Sequence, residues 1–80
     1  MKIYSVGRWG GMELRDWEVA YYISLESAEN AIANDTWGRD HVLREKEIST
    51  DGKGRIVVLN STILKKYEWD RKLLKNVEKN

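Results

Sequence analysis

The only histidine of the chain, His41, lies beside Asp40 and close to Glu45 and Glu47. A histidine that a carboxylate orients can act as a general base. The chain contains no cysteine, and no nucleophile motif accompanies His41, so the pattern favours a histidine at the start of a strand over a catalytic one. One histidine with scattered carboxylates matches no structural metal site. We therefore expect no metal and no other cofactor.

A second group of acidic residues, Glu13, Asp16 and Glu18, surrounds the first predicted loop. Paired carboxylates can catalyse hydrolysis or hold a divalent cation. No calcium-loop pattern is present, and charged loops are the usual arrangement, with Arg8 or Arg15 as partners. An enzyme, such as a small hydrolase or nuclease, is therefore the third of three functional hypotheses.

The segment Gly52-Lys53-Gly54-Arg55 combines two flexible glycines with two cations, which is a composition that can surround a phosphate. It joins two predicted strands and does not lead into a helix, so it fits neither the P-loop nor the dinucleotide-binding fingerprint. The tip of a hairpin accounts for its glycines. Lys53 and Arg55 remain the candidate contacts if the partner is a nucleic acid.

The aromatic residues are all Trp or Tyr, four of each, and the chain has no Phe. Such side chains tolerate partial exposure and dominate binding hot spots. Trp9 and Trp37 lie in predicted loops that contain glycine, where the local pattern does not require a large aromatic. We interpret them as partner anchors, the alternative being that they fold back over a small core. Trp69 lies at the border of the basic surface described below.

Apolar alternation predicts two N-terminal strands, Lys2–Arg8 and Trp17–Ile23. In the second strand the odd positions form one apolar face, which we place on the core together with its first residue, Trp17. These positions are Trp17, Val19, Tyr21 and Ile23. A second hairpin follows from about Val42–Ile48 and Arg55–Asn60. Because the run Ile56–Leu59 does not alternate, it predicts a strand buried on both sides.

Two helices complete the predicted order. Ser24 occupies an N-cap position and predicts a helix from Leu25 to about Asn34, and Ser61 or Thr62 is placed to cap a final helix. The apolar face of the final helix contains Ile63, Leu64, Tyr67, Leu73, Leu74 and Val77. Its opposite face carries the cations Lys65, Arg71, Lys72, Lys75 and Lys79. That face would dock on an acidic protein or follow phosphates, unless it is simply a solvated surface.

The order ββαββα predicts an α+β fold, in which a four-stranded, mostly antiparallel sheet carries both helices on one face. With 80 residues, the chain is expected to form a single domain, 1–80. Its net charge of +1 argues against a surface built entirely for nucleic acid or an anionic membrane. No apolar run is long enough to span a membrane, and no signal peptide is recognisable. We expect a cytoplasmic protein.

The opening segment Met1–Val6, the strand-to-helix passage Tyr21–Ile32 and the second hairpin together resemble short uncharacterised ββαβ proteins of phages and prophages. The resemblance covers roughly residues 1–60 and is one of layout. It implies an accessory protein that binds and modulates a host or defence protein. The leading hypothesis is thus a non-enzymatic protein-binding module that uses Trp9, Trp37 and Trp69 with the basic surface. The second is a nucleic-acid-binding domain that uses the same surface.

Overall fold

A computed structural model of the chain describes residues 1–9 and 17–79, with the backbone alone at Trp9. It contains one helix and five strands. In chain order they are β1 (Lys2–Trp9), β2 (Trp17–Tyr22), α1 (Leu25–Ala33), β3 (Asp40–Thr50), β4 (Ile56–Asp70) and β5 (Lys75–Lys79). The predicted architecture of four strands and two helices is therefore wrong.

The five strands form one antiparallel sheet in the order β2-β1-β3-β4-β5. Three β-bulges interrupt its register, each of which leaves one apolar residue without a direct partner. These residues are Val19 in β2, and Leu59 and Leu64 in β4. Because a bulge bends its strand and increases the local twist, β4 is not a straight edge.

Helix α1 begins as the sequence predicts. The Ser24 hydroxyl accepts a hydrogen bond of 3.1 Å from the Ser27 backbone N–H, which satisfies one of the free donors of the first turn. Asn34 is the C-cap residue, close to the predicted end of the helix. The helix packs against β1, β2, β3 and β5. Its buried residues are Ala28 and Ile32.

The hydrophobic core under α1 is small. Val6 and Leu43, on the neighbouring strands β1 and β3, meet Ala28 and Ile32 of the helix. Half-buried side chains surround this cluster, namely Tyr4, Tyr22, Leu25 and Tyr67. Large aromatic bodies at the margin thus extend a core whose fully buried members are few.

The predicted final helix does not exist. Its residues form the second half of β4, a turn and β5, so the basic face of a helix that we expected is not formed. Its apolar positions fit a helical period, yet β3 offers a complementary edge along most of β4, and tertiary pairing overrides local propensity. The Asp70 carboxylate fixes the turn by accepting hydrogen bonds from the N–H groups of Lys72 and Leu73, at 2.8 and 3.0 Å. Leu74 completes the turn with a positive φ of 53°.

Two strand assignments also need correction. In β2 the alternation is real but its phase is reversed, because Ala20 and Tyr22 lie opposite the helix-facing residues of β1. Trp17 is consequently 39 % exposed and is not a core residue. The run Ile56–Leu59 is not buried on both sides, since Ile56 is 63 % and Leu59 62 % exposed.

Candidate functional site

The carboxylate of Asp35 is the centre of a polar cluster at the end of α1. Arg8 of β1 donates to Asp35 Oδ2 through Nε, at 2.9 Å, and through Nη2, at 2.8 Å. His41 of β3 places its Nε2 2.9 Å from the same oxygen. The second oxygen, Oδ1, accepts the backbone N–H of Trp37 at 3.0 Å. The Asp35 side chain therefore joins β1, β3 and the loop that follows α1.

Burial alone would raise the pKa of Asp35, but the hydrogen bonds from the Trp37 N–H, from His41 and from Arg8 outweigh it and hold that pKa below its ordinary value. The carboxylate is thus a stable anion at neutral pH. His41 itself is almost completely buried, and its Nδ1 has no hydrogen-bond partner within residues 1–9 and 17–79. A histidine in this position supports the fold and is closed to a substrate.

Two further hydrogen bonds, from β5, hold the same loop. The Asn76 side-chain amide, on β5, donates to the backbone carbonyls of Ile32 and Asp35, at 2.8 and 3.0 Å. These are carbonyl groups at the end of α1 and just beyond it, which lack partners inside the helix. The connection between α1 and β3 is therefore held by side chains of β1, β3 and β5.

Trp37 projects from this fixed loop into solvent. Its side chain is 73 % exposed, and the Arg8 guanidinium carbon lies 4.6 Å from the centre of its ring. This distance is that of a cation–π contact. Because Asp35 holds both the backbone N–H of Trp37 and the guanidinium beneath its ring, the indole is exposed and yet restrained.

The exposed indole borders a concave pocket of about 400 Å³ between β1, β2 and the end of α1. Polar groups form more of its exposed wall than apolar ones, with the Asp35 cluster on one side and Val6, Val19 and Tyr22 on the other. The lining residues central to its shape are Val6, Arg8, Val19, Tyr22, Asp35 and Trp37. The restrained indole and the polar groups of the Asp35 cluster thus lie beside one concave surface.

The other two tryptophans named from the sequence differ from Trp37. Trp69 is half buried on β4; its backbone N–H donates to Asp40 Oδ1 at 3.1 Å, and its ring lies against Gly38. A Cβ built on Gly38 would be 3.5 Å from the indole nitrogen, so Trp69 packs under the loop that carries Trp37. The Trp9 side chain lies outside the described residues, as do Glu13 and Asp16.

The predicted basic surface is divided among different elements. Arg71 and Lys72 lie in the turn between β4 and β5, while Lys75 and Lys79 lie on β5. Carboxylates are interspersed with these cations, because Asp70 is the register partner of Lys75 and Glu78 lies beside Lys79. The structure therefore replaces one continuous cationic face with a mixed surface.

The turn that carries Lys53 and Arg55 already holds an anion. The Asp51 carboxylate accepts the backbone N–H groups of Lys53 and Arg55, at 2.8 and 3.2 Å, and also Arg55 Nε, at 2.9 Å. These donors, led by the Lys53 N–H, lower the pKa of Asp51. The backbone donors of Lys53 and Arg55, together with Arg55 Nε, are therefore occupied by the protein's own carboxylate.

The acidic residues near His41 have separate partners. Asp40 accepts from Trp69, Glu45 pairs with Lys2 and Glu47 pairs with the N-terminal amine. Glu18 lies on β2, where Ser5, Tyr21 and Lys46 donate to it. Burial alone would raise the pKa of Glu18, but these donors lower it. Across residues 1–9 and 17–79, no group of three potential ligand side chains is placed to hold a metal ion.

Sequence reasoning missed the Asp35 cluster. Its members, Arg8, Asp35 and His41, come from a strand, a loop and another strand. The one available signal was an aspartate in the turn-rich segment immediately after the helix. Nothing in the spacing of the three residues indicates that they meet.

Comparison with protein-family models, curated proteins and solved structures found no significant match to this chain. In the described part of the chain, no helix has both the length and the apolar character needed to cross a membrane.

Proposed function

We propose that this chain is a protein-binding module that uses Trp37 as its anchor. The observation that carries the proposal is the 73 % exposure of an indole whose position is restrained by the Arg8–Asp35 pair. Exposed tryptophan is unfavourable in water, whereas a partner that buries it gains a large contact area. A restrained side chain also loses little conformational freedom on binding, which favours affinity.

The pocket beside Trp37 supports a partner that inserts a side chain with both apolar and polar atoms next to the indole. Val6, Val19 and Tyr22 supply apolar walls, and Arg8 with Asp35 supplies a neutralised polar edge. Such a combination of an aromatic anchor and an adjoining pocket is typical of interface hot spots. The expected class of partner, a host or defence protein, rests on the layout resemblance of residues 1–60.

The proposal is tested by affinity capture from bacterial lysate, with three baits and with or without nuclease. The baits are the wild type, Trp37→Ala and the control Tyr21→Ala, which removes an aromatic side chain that is 58 % exposed and does not line the Trp37 pocket. We expect wild type and control to retain one discrete protein, with or without nuclease. Trp37→Ala should weaken binding about 30-fold, corresponding to about 2 kcal/mol for a hot-spot residue.

Thermal melts of all three baits establish that binding is compared between folded proteins. Equal capture by Trp37→Ala and wild type would exclude Trp37 as the anchor. Capture that disappears after nuclease treatment would instead favour the nucleic-acid hypothesis. In the free protein, Trp37→Phe should lower the fluorescence that acrylamide quenches readily by more than Trp17→Phe or Trp69→Phe does, because the indoles of Trp17 and Trp69 are more buried.

A further inference from the structure

Most of the outer edge of β4 is open. Strand β5 pairs only with the segment Lys66–Asp70. Within residues 1–9 and 17–79, no strand pairs with the outer edge of the segment Ile56–Lys65. This open segment presents backbone donors and acceptors over roughly 30 Å, at about 3.3 Å per residue. An open strand edge is a template for pairing with another chain.

The side chains of the open segment are unusually apolar for an exposed edge. The exposed members are Ile56 at 63 %, Val58 at 52 %, Leu59 at 62 %, Ile63 at 48 % and Leu64 at 39 %. Soluble proteins commonly protect an open edge with charged residues, proline or bulges. The stretch from Ile56 to Leu64 contains no charged residue and no proline, and its bulges at Leu59 and Leu64 leave residues 60–63 regular. A contiguous apolar patch of this kind usually marks an interaction site.

The order of residues along the open segment is nearly palindromic about Ser61. Apolar residues 57–59 precede the polar residues 60–62, and apolar residues 63–64 follow. An antiparallel pair about a two-fold axis through Ser61 would place Leu59 opposite Ile63 of the second copy and Val58 opposite Leu64. Asn60 would face Thr62. Within residues 58–64, apolar side chains would thus meet apolar ones and polar side chains would meet polar ones, whereas Val57 would face Lys65.

We propose that the open segment of β4 binds a second copy of this chain in an antiparallel, two-fold symmetric pair centred on Ser61. A two-fold interface requires a surface that is complementary to itself, which the palindromic order provides. The two bulged residues, Leu59 and Leu64, enclose the regular stretch 60–63, on which the axis lies. The proposal uses a surface separate from the Trp37 pocket and does not rest on the proposed function.

The charged residues at the ends of the segment have partners within the chain. Arg55 pairs with Asp51, and Lys65 pairs with Glu29 and Glu78. Salt should therefore change self-association little, whereas a foreign strand that binds through acidic ends would bind more weakly as the salt concentration rises. One strand pair forms an interface at the small end of the usual range, so we expect a dissociation constant of roughly micromolar order.

The test measures the oligomeric state of the purified chain by sedimentation equilibrium, from roughly 1 to 500 µM, a range chosen to bracket that affinity. Wild type should change from monomer to dimer over this range, with little dependence on salt. Leu59→Lys and Ile63→Glu should each weaken dimerisation at least about 10-fold, because each places an unpaired charge against an apolar residue. The double variant should recover dimerisation. In it, the new lysine at position 59 of each copy faces the new glutamate at position 63 of the other copy.

Ile23→Lys is the matched control, because Ile23 is 81 % exposed and follows β2 at the opposite side of the sheet. It should leave the dimer unchanged, and thermal melts should show that every variant is folded. A wild type that is monomeric throughout overturns the proposal and leaves the edge to a different partner. A dimer that salt weakens, that both single substitutions spare or that the double variant fails to restore also contradicts it. Each of these results concerns self-association alone and leaves the Trp37 proposal to its own test.

Discussion

Leu43 and Leu59 lie on neighbouring strands of the same sheet, in two regions that differ in what covers them. Leu43 belongs to the helix-covered region, formed by α1, β1, β2 and the start of β3 up to residue 43, and is fully buried. Leu59 belongs to the open region, formed by residues 44–50 of β3 and 56–64 of β4, and is 62 % exposed. The strand sequences are rich in Ile, Val and Leu in both regions.

The comparison shows that apolar strand residues alone do not decide where a core forms. In the helix-covered region, Ala28 and Ile32 provide the second layer that a sheet needs to bury one face. The core that results is small, and the Asp35 cluster adds a buried polar network at its margin. In the open region, strand pairing supplies most of the order, and several large apolar side chains remain available to a partner.

The largest expected effect compares the two leucines directly. Leu43→Ala should lower the free energy of unfolding by about 3–4 kcal/mol, because it removes a fully buried side chain and leaves a cavity. Leu59→Ala should change it by less than about 0.5 kcal/mol in the monomer, as for an ordinary surface substitution. Urea unfolding at low protein concentration measures both values. Similar losses for the two variants would contradict the division into a covered and an open region.

The local features of the helix-covered region were accessible from the sequence, whereas its long-range contacts were not. Ser24 identified the start of α1 because capping depends on residues next to one another. The predicted alternation of β2 was also correct, but the residues predicted to face the core were the wrong set. The odd residues of β2 are larger and more apolar than Ala20, yet register with β1 turns Ala20 and Tyr22 towards the helix. Register is set by the partner strand and the turn, which the alternation does not contain.

The open region and β5 were harder to predict because two periods fit the same residues. Ile63, Leu64, Tyr67 and Val77 lie on one face of a helical wheel, yet they belong to β4 and β5. The decisive information is the ladder between β4 and β3, which joins residues distant in the sequence. The Asp35 cluster has the same origin, since folding brings Arg8 and His41 to one carboxylate.

A second prediction concerns the polar margin of the helix-covered region. Asp35→Asn should lower stability at pH 7 by about 2–3 kcal/mol, because it leaves the Arg8 charge without its buried partner. The pKa of Asp35 is depressed in the folded protein, so its contribution is complete above the unfolded pKa and declines as the pH falls through the folded one. The difference between wild type and variant should therefore shrink below about pH 4. Urea unfolding at pH 7 and pH 3 tests this; a difference that stays constant would contradict the ion-pair role.

The smallest expected effect concerns the turn that replaced the predicted helix. Leu74 has a φ of 53° and is 69 % exposed, so its side chain contributes little packing and its backbone is strained. Glycine adopts this conformation without steric cost, which relieves about 1–2 kcal/mol of strain, and it adds about 0.4–1 kcal/mol of unfolded-state entropy. Leu74→Gly should therefore raise stability by about 0.5 kcal/mol. In the interior of a helix, the same substitution would lower stability by about 1 kcal/mol.

Leu73→Gly is the matched control, since Leu73 lies in the same turn without a positive φ, and it should be neutral or destabilising. The sign of the change at Leu74, measured by urea unfolding, thus distinguishes the observed β4–β5 hairpin from a C-terminal helix.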